Sequence, residues 1–260
     1  MKQLGTALIV EWIKMHKSKI FWLTLGIFLF ISFMMSLIMY ISLHPDVSSK
    51  FGIIGTKAEM FGENDWTGYF NLFNQLAAAI GLIASGFITA WIYGREYSDR
   101  TLKDLLAVPL SRDAIAIAKF IVVLAWSIIL LLILVLSGIA GGFLVGIPGW
   151  SGVLFTDFLK QYFSIVFLTL ILCTPVAFIT VYSRGYLAPL GFVILTMIMA
   201  QFASIISLGP WFPWAIPGLL SVPEGTPGME LHFISYILLA LTGIAGLSGT
   251  LAWWRYADQY

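Results

Sequence analysis

Charge is what this 260-residue chain has least of: Asp, Glu, Lys and Arg make up 10% of it, where soluble domains carry roughly 25%. Apolar residues fill 60%, which excludes an ordinary water-soluble globule and places the chain in the membrane class. The near-cancelled net charge of +1 says nothing about partners; the distribution of charge along the chain is what carries information. Cysteine is almost absent. The lone Cys173 lies in an apolar run, excludes an internal disulfide, and reads as a small buried hydrophobe. No Gly-x-x-x-x-Gly-Lys-Ser/Thr phosphate loop occurs, and neither His-Glu-x-x-His nor Cys-x-x-Cys is present, so no ATP cradle or metal site is expected in this chain. His16, His44 and His232 are scattered near the ends of apolar runs. Ser137-Gly138 offers a hydroxyl inside one run, but no histidine lies there to act as its base. An enzyme working by itself is therefore not expected, and no catalytic residue is assigned.

What is there is six apolar runs long enough to cross a bilayer at about 20 residues each. They cover about residues 20–43, 66–93, 114–145, 158–182, 187–208 and 233–254, within one transmembrane domain spanning 1–260. Residues 1–19 precede them, with Lys2, Lys14, Lys17 and Lys19 and with Leu4, Leu8, Trp12 and Met15 at helical spacing, the pattern of an amphipathic helix lying in the membrane interface. The run after it is about twice the length of a signal-peptide core, so the first span is expected to stay attached. Trp66, Tyr69 and Phe70 open the second run, and Trp91 with Tyr93 closes it, reading as aromatic belts at the two interfaces. Pro175 predicts a kink in the fourth. Gly243, Gly246 and Gly249 recur at i+3 in the sixth, with Ala245 and Gly249 a small-xxx-small pair, allowing close helix contact. Residues 209–229 hold five prolines, two tryptophans and no basic residue, and predict a re-entrant or interfacial hairpin in the outer leaflet.

Fourteen basic residues set the orientation. With the N-terminus inside, eleven fall on the cytoplasmic side, and only Lys50, Lys57 and Lys160 fall outside, which the positive-inside rule makes decisive. Both termini and the charged segment Gly94 to Arg112 are then cytoplasmic. That segment carries Arg95, Glu96, Asp99, Arg100, Lys103, Asp104 and Arg112, with Leu102, Leu105 and Leu106 on one helical face. It reads either as a short amphipathic helix, begun by Ser98 or Asp99 and stopped before Pro109, or as a solvated loop with a helical turn. Ser111 then caps the next long helix, with Asp113 in its first turn. Asn71, Asn74 and Gln75 cluster near the outer end of the second run; they serve either interhelical hydrogen bonding or a polar group of a cargo. Every Asp, Glu, Lys and Arg falls in a loop or close to the end of a run, unlike ion-driven pumps, which keep such a group at mid-membrane.

The segment Glu96, Thr101, Leu102, Leu105, Leu106, Pro109, Ser111 and Arg112 resembles the coupling-helix region of type-2 ABC transporter permeases, the six-span membrane subunits of ATP-driven exporters. The family often has Gly before the Thr-Leu, where this chain has Arg100. The order of elements is similar over the whole chain, most of all to permeases of bacitracin-resistance and lantibiotic-immunity exporters. The resemblance implies an all-α integral membrane fold of the type V exporter kind: an interfacial N-terminal helix, six spans, a coupling helix between spans 2 and 3, and a re-entrant hairpin before span 6. It implies a subunit that moves an amphipathic or hydrophobic cargo, such as an antimicrobial peptide, drug or lipid-linked molecule. Arg95, Glu96, Asp99, Arg100, Thr101, Leu102, Asp104, Leu105, Leu106, Pro109 and Arg112 would then meet a separate ATPase subunit. Asn71, Asn74, Gln75 and Gln201 would lie near the cargo path. Cofactors would be ATP and Mg on that partner and none on this chain. The partners implied are two ATPase copies, a second identical or homologous permease and the lipid of a bacterial plasma membrane, with no nucleic acid. The alternative is a standalone channel or scaffold not driven by ATP.

Overall fold

Apolar runs fold as helices in lipid because an unpaired backbone N–H or C=O has no water to bond there, and a helix satisfies both within its own segment. The computed structural model describes residues 2–44, 46, 64–101, 110–222 and 230–256, and no strand occurs among them. Helix α1 (Lys2–His16) is followed by α2 (Lys19–Leu43), α3 (Trp66–Ser98), α4 (Arg112–Val145), α5 (Gly152–Ile171), α6 (Cys173–Ser183) and α7 (Leu187–Ile205). Two 3-10 turns, Gly209–Trp211 and Pro213–Ala215, lead into the short α8 (Ile216–Leu220), and α9 is Phe233–Tyr256. With α5 and α6 taken as one interrupted helix, six are long and apolar enough to cross a membrane. Residues 102–109, most of the expected coupling helix, lie outside the described residues, as do 223–229 of the expected hairpin.

Side chains close the helix starts where the sequence offers them. Ser18 accepts from Phe21 N, Asp65 from Gly68 N and Ser111 from Ala114 N, at 3.2, 2.9 and 3.3 Å, each satisfying a donor the first turn leaves over. Gly146, at φ 75°, ends α4 in the left-handed region. The fourth crossing begins at Gly152, earlier than its hydropathy indicates, and is interrupted at Leu172, three residues before Pro175. Proline has no N–H to give the carbonyl four residues back. Thr174 Oγ1 donates to that Ile171 carbonyl instead, at 3.1 Å, and to Gly243 O of α9 at 2.6 Å. The glycine series of α9 therefore packs on this interruption: a Cβ on Gly246 would meet Pro175 N and lie 2.5 Å from the Thr174 carbonyl carbon.

The aromatic residues at the start of α3 are not an interfacial belt. Trp66, Tyr69 and Phe70 are buried, because α4 and α5 provide room and partners for them. Gly138 and Gly142 of α4 leave space that Phe73 and Trp66 fill, Tyr69 donates to Gly138 O at 2.9 Å, and Phe70 stacks on Phe158 at 4.1 Å. The ring closing α3, Tyr93, is likewise fully buried and donates to Ala116 O at 2.7 Å. Between these layers Trp126 stacks on Phe21 at 3.9 Å and gives its N–H to Thr24 Oγ1 at 3.2 Å, joining α4 to α2. The outward faces of α7 and α9 stay apolar and exposed, with Leu195, Phe202, Leu241 and Ile244 among them.

Candidate functional site

Helix α1 lies against α4 with Ala7, Glu11 and Met15 turned inward, one turn apart. Its outward side carries Ile9, Val10, Trp12 and Ile13. The stripe of Leu4, Leu8, Trp12 and Met15 is thus divided: Met15 faces the protein and Trp12 is exposed. The inward face puts a carboxylate, Glu11, 2% exposed, into the end of the bundle where α3 finishes and α4 begins.

Around Glu11 gather three cations and a second carboxylate. Arg95 Nη2 reaches Glu11 Oε2 at 2.5 Å, and its Nε reaches Glu96 Oε1 at 3.2 Å. Lys119 Nζ, wholly buried, gives all three of its donors: to Glu11 Oε2 at 3.1 Å, Glu96 Oε1 at 2.9 Å and Ile92 O at 3.1 Å. Lys14 closes the outer side with 3.3 Å contacts to both carboxylates, its side chain 37% exposed. Arg95 also lies over the Trp91 ring, 4.9 Å from its centroid, a cation–π contact. Glu96 Oε2 is buried without a hydrogen-bond partner among the described residues. Such a cluster adds little net stability, since desolvation offsets attraction, but breaking it by removing one member costs about 3–5 kcal/mol. Its effect is geometric: α1, α3 and α4 are held at one point.

The same residues carry the turn that leaves α3. Arg100 N bonds Tyr97 O at 3.4 Å and Thr101 N bonds Glu96 O at 3.0 Å, while Arg100 sits at φ 57°. That is the paired-bond pattern of a left-handed helix end, normally formed by glycine. Arg100 stands where the resembling family often has Gly, and it takes the glycine conformation. Asp99 ends α3 rather than starting a new helix, its N–H bonding Arg95 O at 2.7 Å. Gly94 lets the Tyr186 ring close against the last turn of α3; a Cβ there would lie 2.9 Å from the ring. Burial pushes the Tyr186 phenol up, with a hydrogen bond from Ser98 opposing and the charges of Asp99 and Glu96 reinforcing the rise.

The structure divides the residues singled out at this end. Arg95 and Glu96 turn inward to the ion cluster, away from the solvent face where the sequence places them. Asp99, Arg100 and Thr101 are exposed at the turn. Arg112 is exposed and reaches Trp254 O at 3.4 Å, and next to it Asp113 pairs with Arg255 at 2.6 Å, fastening α9 to the start of α4. Leu102, Asp104, Leu105, Leu106 and Pro109 lie outside the described residues. Glu11 was missed because residues 1–19 read as a basic interfacial helix; the signal was one acid in register with Ala7 and Met15. Lys119, which in sequence is one of the charges close to the end of an apolar run, is wholly buried because Glu11 and Glu96 receive it.

At the opposite end, Asn74 is buried and donates to Gln161 Oε1 at 2.7 Å, and Gln161 Nε2 donates to Leu220 O of α8 at 2.7 Å. This relay ties α3, α5 and α8 together. Asn71 is half-buried, while Gln75 and Gln201 are exposed; none of the three joins it. Among the described residues no group of three or more His, Cys, Asp or Glu is placed to hold a metal ion.

The family described as ABC-2 family transporter protein matches residues 7–201, a stretch that includes every member of the ion cluster. The chain is similar to the bacitracin transport permease protein BCRB of Bacillus licheniformis, 29% identical over 223 residues, which cover 83% of this chain and 96% of that protein. No solved structure matches.

Proposed function

This chain belongs to the ABC-2 family of transporter proteins, and from that premise we propose that it exports an amphipathic or hydrophobic cargo, of the antimicrobial-peptide kind, from a bacterial plasma membrane. It is a multi-pass permease, the membrane subunit of an ATP-binding cassette transporter and not itself an ATPase. The observation that carries the cargo proposal is its likeness, over most of this chain and nearly all of the other, to a permease named for bacitracin transport. The charge distribution supports a cytoplasmic placement of both termini, since α1, the end of α3, the start of α4 and Arg255 share one end of the bundle.

In this reading two separate ATPase chains bind ATP and Mg and dock on residues 99–112, with Leu102, Leu105 and Leu106 as apolar anchors, while the buried Arg95 and Glu96 support that segment from inside. One six-helix bundle is half of the machine, so a second permease completes it. ATP-driven approach of the ATPases rocks the two permeases and opens a path past Asn71, Gln75 and Gln201. The deciding experiment is mild-detergent purification from the native host with counting of co-purifying chains, together with bacitracin susceptibility of a strain lacking the gene. One ATPase per permease, lost in Leu105→Asp, and a lowered inhibitory concentration in the deletion strain are expected. A pure homo-oligomer with no nucleotide-binding partner would point to a standalone channel or scaffold.

A further inference from the structure

The ion cluster joins two parts of the chain that the proposed function treats separately: the N-terminal helix and the turn at 99–101. We propose that Glu11 and Lys119 are positioning residues for energy coupling, locking α1 to the end of α3 so that α1 and the turn at 99–101 move as one body. The inference rests on the reading of the 99–112 segment as the ATPase contact.

Cluster and turn are built from the same two residues. Arg95 and Glu96 offer their side chains to the cluster and their backbone carbonyls to the turn: Asp99 N bonds Arg95 O, and Thr101 N bonds Glu96 O. Any force applied at Thr101 is therefore applied to the residues that hold Glu11 and Lys119. Lys119 uses all three donors, one of them on the Ile92 carbonyl of α3, so its ammonium has no alternative arrangement nearby. Glu11 is the only member α1 contributes in full burial, Lys14 being partly exposed. Tyr93, bonded to Ala116 O one turn away, keeps α3 and α4 in register without help from α1. The part played by Glu11 is thus separable, since it attaches α1 while α3 and α4 remain joined without it. In charge, three cations face two carboxylates in the native cluster. Glu11→Gln leaves three cations facing one, and Glu11→Gln with Lys119→Met leaves two facing one.

The test measures the joint directly. In a Cys173→Ala background, spin labels are placed at the exposed Gln3 of α1 and the exposed Ser98 that ends α3 just before the turn, and the distance distribution is recorded by pulsed EPR on the complex co-purified with its native ATPase. The expected result is one narrow distance, with the same centre in nucleotide-free and ATP-trapped complexes. Glu11→Gln is expected to broaden it at least twofold and to halve or more the ATP-driven displacement of a label on α1, with ATPase copies per permease unchanged; Glu11→Asp is expected to restore part of both. Equal widths in Glu11→Gln and its parent, or a parent distance that shifts between nucleotide states by more than the label width, would overturn the proposal. If Glu11→Gln does not fold, the double variant Glu11→Gln, Lys119→Met is measured in its place under the same criteria. If no ATPase co-purifies with the parent, the functional reading has failed, and the widths in the permease alone still decide whether the lock exists.

Discussion

Gly246→Ala should damage this protein although it adds a single methyl group to a helix. The new Cβ would meet Pro175 N and lie 2.5 Å from the Thr174 carbonyl carbon and 2.7 Å from Thr174 Oγ1. The first two of those neighbours are backbone at the interruption of the fourth crossing, and they cannot rotate away. Helix α9 must therefore move off α6 by about 1 Å to reach ordinary van der Waals separation, an overpacking that costs about 1–3 kcal/mol. The move also stretches the 2.6 Å bond from Thr174 Oγ1 to Gly243 O, and interhelical bonds of this kind average about 0.6 kcal/mol in membranes. Alanine returns up to about 1 kcal/mol through helix propensity, leaving a net loss of about 1–2.5 kcal/mol. Gly26→Ala is the matched control: nothing lies within 4 Å of its Cβ, so only the propensity gain applies. The two variants should then differ by about 2–3.5 kcal/mol in reversible unfolding followed in detergent. Equal midpoints would refute the close approach of α9 to α6 and the role given to the glycine series.

Two further outcomes are expected in the same unfolding assay. Asn74→Ala removes the donor to Gln161 Oε1 and should cost about 1–3 kcal/mol by leaving a buried acceptor unpaired, whereas the exposed Gln201→Ala should stay within about 0.5 kcal/mol of the parent; an indifferent Asn74→Ala would remove the relay to α8. Arg100→Gly should stabilise by up to about 1 kcal/mol, because glycine adopts the left-handed conformation without the Cβ clash that arginine carries there; a loss of stability would mean the Arg100 side chain holds something that its exposure does not reveal.

Composition and periodicity by themselves determined the class of this protein: six apolar crossings, the basic bias at one end, the Ser111 cap of α4 and the Pro175 interruption are all local properties of the chain. The Arg100 turn was half-legible, since the position could be located while its left-handed geometry could not. What the tertiary structure decided is which apolar and charged groups face protein. In water a burial pattern can be read from hydropathy, because polar residues mark the outside. Lipid removes that contrast, as tails are as apolar as leucine, so Trp66 and Tyr69 inside α3–α4 and Trp12 outside α1 look alike in sequence. Charge behaves in the opposite way. Glu11, Arg95, Glu96 and Lys119 each look like a solvated end-of-helix group, and each is buried only because the two members of opposite charge are there to receive it. That mutual dependence links residues up to 108 positions apart, a separation at which no local pattern in the chain carries information.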